Sequence, residues 1–325
     1  MINNNTIPYF SEQQLSSLGL STTECVDMIE SLILKVEKKT AWSAPKSVIL
    51  PDDGRYMMAA LAASDTPSLL VVKTVVLNPH NRDCGLPQIN GLVTMLDSSN
   101  GLPVAILDGN WITAVRTAAL SATAAKHMAR KESSVIAFIG CGVQAKSHLH
   151  AFLEIFPLKE ARLYGRGQSN IDSLSAEVRA QSISAVVCSC AEDAVTGADI
   201  IITSVTYCAH LPPFLDANWL KAGSFSAIVD LAAPWKKSTF SAFDQITIDD
   251  MEQEALLPNK LLAPELITGD LSQLVLGKYV GRNHDSDRNA FIFRGHALGD
   301  LALSILAYQK AATMLLPLST EDRPL

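Results

Sequence analysis

The stretch that most restricts how this chain can fold is Gly140-Cys141-Gly142-Val143-Gln144-Ala145, because of what stands on either side of it. It follows the apolar run Ser134-Val135-Ile136-Ala137-Phe138-Ile139, which reads as a buried strand, and it opens a helical pattern reaching about Phe156. Glycine at 140 permits a tight strand-to-helix turn. Glycine at 142 lets the backbone approach a pyrophosphate at the helix N-terminus, and Ala145 is small enough for close helix–strand packing. A GxGxxA pattern alone is weak. Between a strand and a helix it points to a dinucleotide-binding turn, the competing reading being a glycine turn used only for packing.

The chain beyond the turn supports the first reading. Further apolar runs, at Ala161–Tyr164, Ser184–Cys188, Asp199–Ser204, Phe225–Asp230 and Gln245–Ile248, are interleaved with helical stretches at Gln168–Gln181 and Glu192–Thr196. Continuous apolar strands alternating with helices predict a parallel sheet covered on both faces. Upstream the pattern differs. Two β-rich runs, Leu69–Leu77 and Gly91–Leu96, are joined by a turn-rich loop, and Pro103–Leu107 ends at Asp108-Gly109-Asn110, a hairpin-type turn signal. Thr113 is expected to cap a helix over Thr113–Arg130 that connects the halves, and Ala297–Met314 reads as a helix returning to the first half. The fold class is therefore α/β: an α+β domain over residues 1–112, with 297–325 returning, and a Rossmann domain over 113–296. With 325 residues, 48% of them hydrophobic, the chain has enough apolar material for two cores.

Three charged residues stand out. The second Rossmann strand ends at Tyr164-Gly165-Arg166-Gly167, where an NAD site usually places Asp or Glu on the ribose hydroxyl. Arg166 there favours a 2′-phosphate, hence NADP(H), with NAD(H) possible; the plain alternative is an exposed loop arginine. Lys73 sits inside Leu69-Leu70-Val71-Val72-Lys73-Thr74-Val75, and a buried lysine needs an anionic partner or a catalytic task, unless it snorkels from an edge strand. Arg116 falls in the first turn of the expected Thr113 helix, where the dipole disfavours a cation without an anion nearby. Together they read as a carboxylate clamp.

Other partners are disfavoured. The net charge is -7, from 26 basic and 33 acidic residues, with no Lys/Arg cluster, so nucleic acid is not expected. No run approaches the roughly 20 apolar residues of a membrane span. Met1-Ile2-Asn3-Asn4-Asn5 lacks a secretory pattern, and the six cysteines form no CxxC pair, so reduced thiols in the cytoplasm are expected. His148 and His150 do not have the i, i+4 spacing of a chelating pair, and no metal is expected.

The spacing Lys73…Asn81…Gly85-Leu86-Pro87…Gly91…Asp97…Gly101-Leu102-Pro103…Asp108-Gly109…Thr113-Ala114-Val115-Arg116-Thr117-Ala118-Ala119, followed by the glycine turn, resembles the ornithine cyclodeaminase/mu-crystallin family over about residues 40–310. The resemblance implies a nicotinamide cofactor and an amino acid or cyclic imine as substrate. It implies that Lys73 and Arg116 hold the substrate carboxylate, that Arg116 also approaches the cofactor, and that Lys46, where the family more often has arginine, joins them. Ser204-Val205-Thr206 is expected at the nicotinamide ribose. Gln88, Gly140, Gly142, Val143, Gln144, Arg166 and Asp230 complete the expected cofactor set. A homodimer formed through the N-terminal domain is also implied.

Two departures bear on the reaction. Cyclodeaminases carry a proton-transferring Asp in Gly-Gly-Asp-x-Pro after the fifth strand; this chain reads Val229-Asp230-Leu231-Ala232-Ala233-Pro234. Aligned on Pro234, the family's acid is Ala232, and Asp230 falls two residues early, roughly 6–7 Å away on a strand. The family's Ser-Val-Gly is Phe293-Arg294-Gly295, and Arg294 is expected to bring a further cation near the substrate or cofactor. Both count against ornithine deamination. The expected activity is NADPH-dependent reduction of a cyclic 2-imino acid, Δ1-pyrroline-2-carboxylate or Δ1-piperideine-2-carboxylate, to L-proline or L-pipecolate, with Lys73, Arg116 and Asp230 as catalytic candidates. The alternatives are ornithine cyclodeaminase, alanine dehydrogenase or an opine-type dehydrogenase, a non-enzymatic binding protein of the mu-crystallin kind, and an unrelated Rossmann enzyme whose N-terminal match is accidental.

Overall fold

A computed structural model describes residues 7–206 and 211–315; Cys208 and the opening Met1–Asn5 segment discussed above lie outside the described residues. The chain divides into two compact units, residues 1–116 with 297–325, and residues 117–296. The first part of unit 1 runs β1 (Tyr9–Phe10), α1 (Glu12–Ser16), α2 (Thr22–Glu37), β2 (Ala41–Ile49), β3 (Tyr56–Asp65), β4 (Ser68–Leu77), β5 (Ile89–Leu96), β6 (Pro103–Asp108) and the start of α3 (Gly109–Met128). Unit 2 continues with β7 (Val135–Ile139), α4 (Val143–Ile155), β8 (Glu160–Tyr164), α5 (Gln168–Ala180), β9 (Ser184–Val187), α6 (Ala191–Val195), β10 (Ile200–Thr203) and β11 (Phe225–Ile228). Then come β12 (Gln245–Ile248), α7 (Met251–Leu256), β13 (Gly269–Asp270), α8 (Leu271–Val275) and β14 (Asn289–Ile292), after which α9 (Ala297–Leu315) returns the chain to unit 1.

Unit 1 is a six-stranded sheet in the order β1-β6-β5-β4-β3-β2, antiparallel except where β1 pairs parallel with β6. Burial alternates along β4, with Leu69, Val71 and Lys73 facing inward, as expected of a sheet packed on one face. That inner face is covered by α2 and α9. Helix α2 is started by a capping box, in which Ser21 accepts from the Glu24 amide and Glu24 accepts from the Ser21 amide.

The expected helix start at Thr113 is corrected by four residues. Asp108, read from sequence as part of a turn signal, instead caps α3, its carboxylate accepting from the Trp111 amide at 2.8 Å. Gly109 lies so close to β5 that a Cβ there would sit 2.5 Å from the carbonyl carbon of Gly91. The helix therefore starts against the strand, and Arg116 belongs to its second turn, beyond the reach of the dipole argument.

Unit 2 is an eight-stranded parallel sheet, β13-β12-β14-β11-β10-β7-β8-β9. β7 is buried almost throughout, as a strand covered on both faces must be. Chain order runs outward from β7 through β8 and β9 on one side and through β10 and β11 on the other, so the topological switch point lies between β7 and β10. In this unit two strands were absent from the sequence reading. β14 is inserted between β11 and β12, and β13 forms the edge.

Candidate active site

In unit 1 the central feature is an ion cluster. Lys73 Nζ lies 2.6 Å from Asp300 Oδ1, and Arg116 Nε lies 3.2 Å from the same oxygen. Exposure is 1% for Lys73, 7% for Arg116 and 2% for Asp300. Lys73 sits on a central strand, flanked by Ala60 and Val93, so it does not snorkel from an edge. Two cations meet one carboxylate away from water, which leaves the trio with one net positive charge. Burial, and then the Arg116 charge, push the Lys73 ammonium down to about 8, against the pull of Asp300.

Lys46 reaches this face through a bulge. The pairing of β2 with β3 shifts between Ala44 and Ser47, leaving Pro45 and Lys46 together opposite Ala60, the residue that pairs with Lys73. An extra residue of this kind re-aims a side chain that strict alternation would send to the other face. Lys46 is half-buried, its ammonium 6.0 Å from the Tyr56 ring, and its charge also depresses Lys73. Gln88 closes the loop after β4, its carbonyl accepting from the Asn78 amide at 2.8 Å and its carboxamide reaching Pro79 O at 3.4 Å. Asp300 was not singled out from sequence. The signal available was one carboxylate in an otherwise apolar part of α9, where an acid must find a buried cation.

In unit 2 the glycine turn lies at the carboxyl end of β7, beside the switch point. Gly140 has φ +94°, and a Cβ there would meet the Ser204 carbonyl oxygen at 2.7 Å. Gly142 is the opposite case: a Cβ would meet nothing within 4 Å, so the backbone faces open space. Gly142 caps the 13-residue α4 with no side-chain hydrogen bond, so no side-chain cap competes for the amides of its first turn. A pyrophosphate fits such a cradle. Val143 is exposed at the start of α4, and Gln144 behind it is half-buried. Arg166 is exposed just beyond β8.

One histidine of α4 also matters. His148 is fully buried, its Nδ1 2.7 Å from the Gln144 carbonyl and its Nε2 2.9 Å from Ser121 Oγ. The carbonyl can only accept, so the ring proton sits on Nδ1 and Nε2 accepts from the serine hydroxyl. Burial lowers its pKa to about 4, keeping it neutral while it ties α4 to α3.

Asp230 lies beyond the end of β11. Thr203 Oγ1 donates to its Oδ1 at 3.0 Å, and the Val205 amide donates to its Oδ2 at 3.0 Å. Trp235 Nε1 donates to the same threonine oxygen at 3.3 Å. Burial pushes the Asp230 carboxyl up to about 7 despite these donors. The estimate of a two-residue strand offset from Ala232 is corrected, because β11 ends at Ile228 and residues 231–234 form a turn. Leu231 and Ala232 both adopt left-handed backbone, φ +59° and +58°, which costs about 1–2 kcal/mol at each non-glycine position. Ser204 donates to the Gly140 carbonyl at 3.3 Å, and Thr206 is exposed. The glycine turn, the 204–206 loop and Asp230 thus gather at the carboxyl ends of β7, β10 and β11.

Arg294 is placed differently from expectation. Its Nε lies 2.6 Å from Glu254 Oε2 and its Nη2 donates to the Asn259 carbonyl, while its own amide and that of Gly295 donate to Asp249. The buried Glu254 carboxylate pairs with this guanidinium, and these contacts hold the segment before α9.

A doubly wound sheet with an uncapped glycine turn at its switch point and a buried carboxyl close by is equipment for redox chemistry on a nicotinamide dinucleotide, and this chain is an NAD(P)H-dependent oxidoreductase. The model of the ornithine cyclodeaminase/mu-crystallin family matches residues 11–314, and the chain belongs to that family. Mouse ketimine reductase mu-crystallin is 34% identical over 256 residues, 78% of each chain. A Delta(1)-pyrroline-2-carboxylate reductase of Bacillus thuringiensis subsp. konkukian is 29% identical over 257 residues, 74% of this chain and 77% of its own. The solved structure of Thermococcus litoralis Delta(1)-pyrroline-2-carboxylate reductase, in complex with NADH and L-proline, is similar at TM-score 0.87 and 25% identity, covering 95% of this chain and 98% of that one. No helix among the described residues is long and apolar enough to cross a membrane.

Proposed function

We propose that the protein reduces cyclic 2-imino acids, Δ1-pyrroline-2-carboxylate or its six-membered homologue, to the corresponding L-amino acids with NADPH. The observation that carries this reading is the buried Lys73–Asp300–Arg116 trio, whose net positive charge suits one small carboxylate. When bound, the dinucleotide supplies the hydride. The remaining work falls to the chain. Lys73 and Arg116 hold the carboxylate in a desolvated setting, where charge-assisted hydrogen bonds are strong. Asp230, with a pKa near 7, carries a proton through much of the neutral range and can serve the imine nitrogen, whose protonation makes the adjacent carbon electrophilic. Water can supply the same proton, so the reduction does not depend wholly on Asp230. Exposed Arg166 supports a 2′-phosphate, and the relatives named ketimine and pyrroline-2-carboxylate reductase support the substrate class.

The test is product formation from Δ1-pyrroline-2-carboxylate with NADPH and with NADH, alongside ornithine and pyruvate plus amine. Fast proline formation, with NADPH preferred, is expected. Turnover of pyruvate plus amine in place of the cyclic imine would overturn the substrate assignment.

A further inference from the structure

Asp300 invites a functional question because it spends a buried negative charge beside two cations assigned to bind an anion. A carboxylate there weakens attraction for a substrate carboxylate, so its presence calls for a compensating effect. The geometry supplies one. Lys73 is fully buried, and among the described residues the charged groups facing it are Arg116 from α3, Lys46 from β2 and Asp300 from α9. Two of the three are repulsive. Asp300 Oδ1, at 2.6 Å, is the attractive partner and fixes the ammonium on the inner face of the sheet.

We propose that Asp300 is a positioning residue that keeps Lys73 charged and oriented, and sets the net charge of the Lys73–Arg116 clamp. The inference rests on the proposed role of that clamp. Without Asp300, the buried lysine between two cations would give up its proton within the working pH range, and a neutral amine cannot hold a carboxylate by charge. Without Lys73, Asp300 would instead neutralise Arg116 and leave the clamp with no net charge. The two losses are therefore not additive, which a purely structural role does not predict.

The probe is pyrrole-2-carboxylate, a planar five-membered ring acid with no basic nitrogen to confuse the titration. Its Kd is measured from pH 5.5 to 10 by calorimetry, with NADPH affinity and thermal melting as checks on folding. The wild type should bind it with a basic limb near pH 8. Asp300→Asn should move that limb down by about one pH unit or more, and Asp300→Glu should restore it. Lys73→Met should lose about a hundredfold or more in affinity, and Lys73→Met/Asp300→Asn should regain at least about tenfold of that loss. An unmoved limb in folded Asp300→Asn, or a double variant no better than Lys73→Met, overturns the role of Asp300. Should Asp300→Asn fail to fold, the double variant, which removes both charges, decides alone. No binding by the wild type at any pH would instead remove the clamp reading itself.

Discussion

The backbone amide of Val205 donates to Oδ2 of Asp230 at 3.0 Å, tying a buried carboxyl to the loop that follows β10. Burial nevertheless raises that carboxyl to about 7, so ionising it in the folded protein is costly. A carboxyl whose pKa is raised on folding favours the native state at low pH. That advantage is whole below about 4, the unfolded value, and is lost as pH rises through about 7. Asp230→Asn should therefore match the wild type near pH 4 and be more stable at pH 8, on the order of 1–3 kcal/mol. The gain stops short of the full linkage because the amide must turn its NH2 toward Thr203, whose hydroxyl can reverse to accept. Melting curves at the two pH values check this; parallel curves would contradict it.

The same substitution separates two reactions. A cyclodeaminase must oxidise an amine, release ammonia and reduce the ring it forms, and needs a well-placed acid or base. Reduction of a preformed imine is less demanding. Asp230→Asn should slow imine reduction by about tenfold or less, about 1.4 kcal/mol, and the wild type should form little proline from ornithine. Ammonia release from ornithine at a comparable rate, abolished in the variant, would transfer the assignment to cyclodeamination.

Cofactor choice should turn on Arg166. Its side chain is exposed at the end of β8, where a ribose phosphate is expected. Arg166→Asp should raise KM for NADPH by about tenfold or more, the loss of one charge-assisted contact, and spare NADH. Steady-state kinetics with both cofactors decide, and an unchanged preference would remove Arg166 from the site.

Association should follow from the outer face of the unit 1 sheet. Trp42, Leu61, Val76 and Leu92 share that face and are 40–47% exposed, while α2 and α9 cover only the inner one. Exposed apolar side chains sharing one sheet face are expected to pair with a second copy. Light scattering should give about twice 35.0 kDa, and Leu61→Asp should weaken the dimer. A wild-type mass of 35.0 kDa at micromolar concentration would contradict the pairing.

What could be seen in the sequence depended on how local its cause was. The dinucleotide turn was visible because strand, glycines and helix are contiguous and each obeys a short-range rule. Lys73 was visible as an anomaly, a charge inside an apolar run, but its partner was not, since Asp300 lies 227 positions away. Lys46 was matched by family spacing, whereas the bulge that turns it inward leaves no mark beyond Pro45. The start of α3 was misplaced because Asp108-Gly109 serves a hairpin and a helix cap equally well until the packing of Gly109 on Gly91 is known. Arg294 looked like an available cation because its counterion, Glu254, stands on another element.

The return of α9 to the first unit has a consequence for biosynthesis. About 190 residues separate the end of β6 from α9, which at 5–20 residues per second means about 10–40 s of translation. The strands of the nucleotide-binding unit are all made within that interval, with β14, which is inserted between β11 and β12, arriving only at its end. Throughout it the sheet that carries Lys73 lacks α9, the helix that packs on its inner face and delivers Asp300. Asp300 is therefore made only after every strand of both sheets, so a nascent chain carries Lys73 and Arg116 for that whole period without their shared carboxylate.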